Sequence, residues 1–273
     1  SFWIRIQNDM KYAGYVSTGQ IPLYDAAGAR AIDARAIDEC GVPGIDLMRA
    51  AAAAAERVVR GRFPHARRVV VAAGSGNNGG DGCEVARLLA ASGREVRIAR
   101  IAGRPAEGDA ATTLAAAIAA GVPVHEGPLD GLLDDADLVI DALLGTGATG
   151  APTGAVADAI TAIRESGLPV VALDVPSGVD ASTGEAPGPA IHADATVAFH
   201  GEKLGLRIEP GRTLAGRIVA VPIGIPADVD AAPAAIGVAS AYDLLPRRRI
   251  GGSKYDAGAV LVIGGSVGMA GAP

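Results

Sequence analysis

Short apolar segments that alternate with helical segments constrain the fold of this chain more than any other feature. Residues 68–73 and 169–174 have the length and composition of buried strands, whereas residues 108–120 and 155–166 have helical periodicity. Strands that alternate with helices of this length are typical of βαβ units, in which helices cover both faces of a parallel sheet. The sequence therefore predicts an α/β fold, a Rossmann-like three-layer αβα structure with a mainly parallel sheet.

The other periodic segments fit the same plan. A helical pattern begins at Leu23 and ends before Gly41, and a second helix is predicted from Ile45 to Val59. The predicted strands are Arg68–Ala73, Glu95–Ile101, Val122–His125, Ala136–Leu143, Pro169–Asp174, Ala195–Phe199 and Gly216–Val221.

Composition excludes several classes of protein. Hydrophobic residues make up 49% of the 273, which is far from the profile of a disordered chain. The net charge of −6 argues against a broad nucleic-acid-binding surface. No apolar run reaches the roughly 18 residues that a membrane span needs, and no signal peptide is evident. With only two cysteines, we expect a cytoplasmic protein with no membrane or nucleic-acid partner.

A glycine-rich segment, residues 74–82, directly follows the predicted strand Arg68–Ala73. Its first, third and sixth residues satisfy the G-x-G-x-x-G pattern, in which the backbone approaches a phosphate at a helix N-terminus. A simpler interpretation is a tight turn in which Asn77, Asn78 and Asp81 cap the helix. Because a plain dinucleotide turn does not need these three side chains, we expect a binding loop.

Two further predicted strands end in a carboxylate. Asp141 is followed by a second glycine turn, and Asp174 is followed by a stiff turn that contains Ser177. Each aspartate alone could be a loop cap. Ligands of open α/β sheets bind beyond the carboxyl ends of the strands, so Asn78, Asp141, Asp174 and Ser177 are expected around one crevice. Their oxygen atoms suit a hard cation.

Other features carry less weight or favour alternatives. An ordinary NAD site has an acidic residue after the second strand, but residues 97–104 contain three arginines and no acid. Lys203 could reach the crevice, although a solvated lysine is equally compatible with the sequence. Cys83 is best interpreted as a small packed residue. The alternatives are an NAD(P)-dependent oxidoreductase and a non-catalytic dinucleotide-binding module.

Three motifs, taken together in their order along the chain, resemble those of a known family. Residues 74–82 (GSGNNGGDG), 141–147 (DALLGTG) and 174–180 (DVPSGVD) resemble the YjeF N-terminal domain family, the NAD(P)H-hydrate epimerases. The resemblance extends from about Tyr24 to Pro226. It implies the repair of hydrated NADH and NADPH (NADHX and NADPHX) by interconversion of their R and S forms.

The resemblance also implies roles for individual residues. Potassium ligands are implied at Asn78, Asp141 and Ser177. Asp174 is the predicted catalytic acid/base and also a substrate-binding residue. The other implied substrate-binding residues are Asn77, Asn78, Gly79, Gly80, Asp81, Gly145, Thr146, Gly147, Ala148, Thr149, Gly150, Ala151 and Ala272.

The two ends of the chain differ from the middle. Four of the nine aromatic residues fall within the first fifteen positions, so residues 1–20 are interpreted as an atypical leader. Residues 21–226 form the epimerase-like domain, and the Pro/Ala/Asp-rich residues begin a linker over 227–253. Residues 254–273 resemble the first strand and glycine turn of a ribokinase-like dehydratase domain that uses ADP or ATP. The resemblance thus implies a bifunctional repair enzyme cut at that point, and a homodimer is compatible with the sequence.

Overall fold

The computed structural model describes residues 20–101, 106–226 and 234–237. A seven-stranded sheet, in which all neighbouring strands are parallel, forms the centre of the fold and confirms the predicted fold class. In chain order the elements are β1 (Gln20–Tyr24), α1 (Ala26–Asp38), α2 (Gly44–Arg62), β2 (Arg68–Ala73), α3 (Asn77–Ala91), β3 (Glu95–Arg100), α4 (Gly108–Ala119), β4 (Val124–Glu126), β5 (Leu138–Ala142), α5 (Gly154–Ser166), β6 (Val170–Leu173), β7 (Ala195–Phe199), β8 (Glu202–Lys203), a 3₁₀ turn (Leu204–Arg207), α6 (Gly211–Leu214), β9 (Arg217–Val221) and β10 (Ala234–Gly237).

Strand order places β2 and β5 side by side in the middle of the sheet, which runs β4-β3-β2-β5-β6-β7-β9. Alternate residues of β2 belong to different cores: Val69 and Val71 pack on one face, and Val70 and Ala72 pack on the other. Because side chains of a strand alternate between faces, both faces of β2 are covered. The continuous apolar run that predicts this strand follows from that double burial.

Helix α3 begins earlier than the sequence pattern predicts. The glycine-rich segment predicts a turn as far as Gly82 and a helix from Glu84, but the helix starts at Asn77 and only residues 74–76 form the turn. A Cβ atom at Gly82 would lie 2.5 Å from the Cβ of Ala142. Part of the glycine-rich segment therefore belongs to α3 and lets this helix pack closely on the sheet; it does not form a long loop.

The start of the described chain also differs from the prediction. The helical pattern from Leu23 begins as a helix only at Ala26, where the carboxylate of Asp25 caps the helix by accepting a hydrogen bond from the Gly28 N–H at 2.6 Å. The preceding residues form β1, which pairs in parallel with β8 in a second sheet of order β10-β1-β8. The sequence pattern predicts neither β1 nor β8, since each is short and its partner is far away in sequence.

The predicted division of the chain into a leader, a domain, a linker and a second-domain fragment stays a prediction. The backbone divides into two compact units, Ser1–Ile236 and Gly237–Pro273. Most of the predicted leader and linker, together with residues 254–273 and Ala272, lie outside the described residues. Strand β10 falls within the segment predicted as a linker. Among the helices that the structure describes, none has both the length and the apolar character to span a membrane.

Candidate functional site

Three loops meet at the carboxyl edge of the sheet. They follow β2, β5 and β6, which are neighbours in the sheet, so the motifs that the sequence singled out lie side by side. A cavity of about 510 Å³ opens between them. Its lining residues are Arg30, Asp33, Gly74, Ser75, Gly76, Asn77, Asn78, Gly79, Asp81, Leu143, Leu144, Gly145, Thr146, Gly147, Ala148, Val156 and Asp174.

Asp174 and Lys203 form an ion pair in the wall of this cleft. Asp174 directly follows β6, and its left-handed backbone (φ 66°) turns the chain at the strand end. Its carboxylate accepts hydrogen bonds from the Lys203 ammonium, the Thr146 hydroxyl and the Thr146 N–H. Lys203 is only 3% exposed and also donates to the Phe199 carbonyl at 2.9 Å. The solvated alternative for Lys203 is therefore wrong.

A second carboxylate, Asp141, lies fully buried behind the cleft. Its Oδ1 accepts from the Ser177 hydroxyl at 2.6 Å, and its Oδ2 accepts from the Ser177 N–H at 2.8 Å. Burial raises the pKa of Asp141 to about 6, although the hydrogen bonds from Ser177 and from the Leu143 N–H oppose the increase. Two of the three predicted potassium ligands are thus in direct contact.

Asn78, the third predicted potassium ligand, is connected to this pair through the loop after β5. Its Nδ2 donates to the Leu144 carbonyl at 2.7 Å and to the Leu173 carbonyl at 3.3 Å. Ser177 contacts the same Leu144 residue, so one loop links Asn78 to Ser177. The Oδ1 of Asn78 is buried and has no hydrogen-bond partner among the described residues. A buried acceptor without a donor is costly, and a bound cation would satisfy it.

The donor set around Asn78 fits a hard, weakly charged cation. It consists of one buried carboxylate, one amide oxygen, one hydroxyl and nearby backbone carbonyls. These are oxygen ligands of the kind that alkali and alkaline-earth ions use. Within the described parts of the chain, no group of three or more His, Cys, Asp or Glu side chains is arranged so that it could hold a metal ion.

The structure brings most predicted substrate-binding residues together in the cleft, but not all. Nine of them line the cavity: Asn77, Asn78, Gly79, Asp81, Gly145, Thr146, Gly147, Ala148 and Asp174. Gly80 instead lies buried against Ala110 and Met48. Thr149, Gly150 and Ala151 are exposed and lie outside the lining.

Helix α1 supplies two cleft residues that the sequence did not indicate. Arg30 and Asp33 lie three residues apart on the same side of the helix and line the cavity opposite the glycine loop. Burial raises the pKa of Asp33 to about 6; Lys203 lowers that pKa and Asp174 raises it. The only feature of the sequence that could have indicated Arg30 and Asp33 is their three-residue spacing on a helix. This spacing is not specific, because polar residues on any exposed helix face can show it.

Asp81 adds another carboxyl group to the cleft. Burial raises its pKa well above the ordinary range, and the nearby charges of Asp174 and Asp33 contribute to the increase. Asp33, Asp81 and Asp174 thus line one cleft, and the pKa values of the first two are raised.

Two further observations bear on the alternatives. Strand β3 ends at Arg100, whose guanidinium pairs with Glu126 at 2.8 Å. A basic residue therefore occupies the strand end where an ordinary NAD site has its ribose-binding acid. Burial raises the pKa of the Cys83 thiol to about 12, so this residue is packed rather than nucleophilic, as predicted.

Comparisons with known proteins agree with this geometry. The yeast protein ynu0 (YNL200c) has a similar fold, with a TM-score of 0.59 and 22% identity over 73% of this chain and 86% of that one. The NAD(P)H-hydrate epimerase of Limosilactobacillus fermentum is 41% identical over 196 residues, which are 71% of this chain and 93% of that protein. The bifunctional NAD(P)H-hydrate repair enzyme Nnr of Pyrobaculum aerophilum is 40% identical over 241 residues, which are 85% of this chain.

The chain spans about half the length of the bifunctional relatives it matches, 47% in the case of the Pyrobaculum aerophilum enzyme. Residues 44–205 match the family described as YjeF-related protein N-terminus. This stretch contains all three loops of the cleft, together with Asp174 and Lys203. The chain therefore belongs to the YjeF N-terminal family.

Proposed function

We propose that this chain is an NAD(P)H-hydrate epimerase, which interconverts the R and S forms of NADHX and NADPHX. The observation that carries the proposal is the meeting of three polar loops in one cleft, with the Asp174–Lys203 ion pair in its wall. The Limosilactobacillus fermentum epimerase, nearly all of which this chain matches, supports the same activity.

The cleft has the size and chemistry for part of a dinucleotide. Its volume of about 510 Å³ lies within the range of small-molecule sites, which is roughly 300–1,000 Å³. Backbone N–H groups at the start of α3 point toward the turn at residues 74–76, and helix N-termini stabilise phosphate groups. We infer that this turn holds the pyrophosphate and that the Asp174 end of the cleft holds the nicotinamide ring.

The reaction inverts the configuration of a single carbon. The hydroxyl on C6 of the damaged ring lies next to the ring nitrogen, so protonation of this hydroxyl and its departure as water leave a cation that the nitrogen lone pair stabilises. Water can then return to either face. A positioned carboxylate assists by exchanging a proton with the leaving or the entering oxygen. We propose that Asp174 is a catalytic carboxylate of this kind, because it lines the cleft and is held by Thr146 and Lys203.

We propose that Asn78, Asp141 and Ser177 hold a potassium ion. The unpartnered Oδ1 of Asn78 supports this assignment, and the carboxylate of Asp141 supplies the negative charge. When bound, the ion contributes positive charge near the phosphates and ties the loops after β2, β5 and β6 together. Asn78, Leu144 and Ser177 already link those loops by hydrogen bonds.

The wider context of the protein follows from its relatives and cysteines. We propose that it works in the cytoplasm, which is supported by two unpaired cysteines, Cys40 and Cys83. We also propose that ADP- or ATP-dependent dehydration belongs to the half of the bifunctional relatives that this chain does not match.

An epimer assay tests the proposal against its main alternative. Purified (R)-NADHX and (R)-NADPHX are incubated separately with the protein, and chromatography follows the appearance of the S forms. In parallel, NAD(P)⁺ is offered with a panel of alcohols and its reduction is followed by absorbance. Epimer conversion without reduction supports the epimerase. Reduction without epimer conversion supports the oxidoreductase instead.

A further inference from the structure

Asp33 is the residue on which the three cavities around the site converge. It lines the glycine-loop cleft with Asp81 and the cavity that contains Asp174 and Lys203. It also lines a third cavity between α1, α2 and α4. Asp33 lies in α1, outside the residues 44–205 that match the family. Asp33 therefore shares two cavities with Asp174.

The carboxyl group of Asp33 is available to a ligand. Within the part of the chain that the structure describes, it accepts no hydrogen bond and forms no ion pair. Asp25 and Asp180, in contrast, cap backbone N–H groups. The residue has surface open to solvent, yet surrounding protein atoms weaken the hydration of its carboxylate, and this raises its pKa to about 6.

The reaction would be assisted by a second carboxyl group beside Asp174. The Asp174 carboxylate accepts hydrogen bonds from Lys203 and Thr146, and acting alone it would have to protonate the leaving hydroxyl and also take the proton of the entering water. Loss and return of water on opposite faces of one carbon is most simply assisted by an acid on one side and a base on the other.

We propose that Asp33 is a second catalytic residue of the epimerisation, the acid that protonates the departing C6 hydroxyl. This inference rests on the proposed function. Asp33 gives its proton to the hydroxyl oxygen, and the C6–O bond breaks with its electron pair leaving on water. The nitrogen lone pair then forms a double bond to C6. A water molecule adds to the other face and gives its proton to Asp174. Exchange with solvent returns a proton to Asp33 and removes one from Asp174.

Several charged or titratable groups surround Asp33 and set its protonation. Lys203 from β8 opposes the protonated form, whereas the carboxylate of Asp174 favours it, and Asp81 of α3 lines the same cleft. The remaining groups that line the shared cavities are Arg30 of the same helix, Asp109 of α4 and His200 after β7. Because the acid must be protonated to act, we expect the rate to fall as the pH rises above the pKa of Asp33.

The experiment compares Asp33→Asn with Asp33→Glu and with Asp38→Asn, an exposed aspartate at the end of the same helix. kcat and KM for (R)-NADHX are measured from pH 5 to pH 9. We expect Asp33→Asn to lower kcat about 100-fold or more with little change in KM. The alkaline decline should disappear in this variant, return at least in part in Asp33→Glu, and persist in Asp38→Asn.

Three results would overturn the assignment. The first is a kcat within about threefold of wild type in Asp33→Asn. The second is an unchanged alkaline decline in that variant. The third is a decline that disappears only in Asp81→Asn, which would make Asp81 the acid. Failure of the proposed function is distinguishable, because the unsubstituted protein would then show no epimer conversion at any pH.

Discussion

At the scale of single residues, the cleft contains one carboxylate that is held by hydrogen bonds, Asp174, and two without a hydrogen bond among the described residues, Asp33 and Asp81. Asp174 is held by Thr146 and Lys203, and Lys203 is nearly inaccessible to solvent. Buried charges are tolerated when they are paired, and the loss of one partner leaves the other uncompensated. The ion pair therefore fixes the position of the carboxylate, and removing either partner would leave the other charge buried without a counter-charge.

Replacing Asp174 with Asn should affect activity and stability separately. We expect epimerase turnover to fall by about 100-fold or more because the proton acceptor is lost. The unfolding midpoint should also fall, because the Lys203 ammonium remains buried. Adding Lys203→Met should recover much of the stability but none of the activity. The control is Asp158→Asn, an exposed aspartate of α5, which should change neither quantity. Near-normal turnover in Asp174→Asn would remove this residue from proton transfer.

The potassium proposal makes a prediction that does not depend on catalysis. A ligand that binds only the folded state raises its stability as the ligand concentration rises. We expect the melting temperature of the wild-type protein to be higher in KCl than in choline chloride at equal ionic strength. Asn78→Ala should lose this difference because it removes the unpartnered Oδ1, whereas Asn77→Ala should keep it. An equal potassium effect in wild type and Asn78→Ala would contradict the assignment.

At the scale of elements, the close approach of α3 to the loop after β2 depends on glycine. A Cβ atom at Gly79 would lie 2.0 Å from the carbonyl oxygen of Gly74. We expect Gly79→Ala to lower the free energy of unfolding by about 1–3 kcal/mol, since backbone must move to relieve the overlap. Gly147→Ala is the matched control, because a Cβ atom added there would have no atom within 4 Å among the described residues. Urea denaturation of both variants measures the difference, and equal losses would argue against the clash.

Elements with a strong local signal were predictable from the sequence. Strands β2 and β7 have the predicted bounds because continuous apolar runs mark strands that are buried on both faces. The start of α3 was missed because its glycines look like a turn, and their packing role depends on neighbours such as Ala142. Strand β1 was missed because its partners in the second sheet, such as the two-residue β8, are far away in the sequence.

The same distinction applies to the site. Asp141 and Asp174 could be found because a residue at the end of a parallel strand must face the ligand-binding edge. The sequence did not decide whether Lys203 reaches the cleft or is solvated, since only the folded chain shows that its ammonium contacts Asp174. Asp33 was not found at all, because its place in the cleft depends on how α1 packs against the sheet.

At the scale of the whole molecule, the described structure is built on a parallel sheet whose central strands carry the cleft. The family match covers residues 44–205, while α1, just before that stretch, closes the cleft from the other side. The chain matches about half the length of the Pyrobaculum aerophilum relative, which is named as bifunctional. It matches almost the whole length of the Limosilactobacillus fermentum epimerase. Epimerisation is therefore the activity that we propose for the described part of the chain.

The most direct test of that claim follows the conversion of pure (R)-NADHX into the S form by chromatography, in buffer with potassium, at several protein concentrations. We expect an approach to the equilibrium mixture at a rate proportional to the protein concentration, with Asp174→Asn close to the rate in buffer alone. A wild-type rate equal to that of buffer, at every protein concentration, would contradict it.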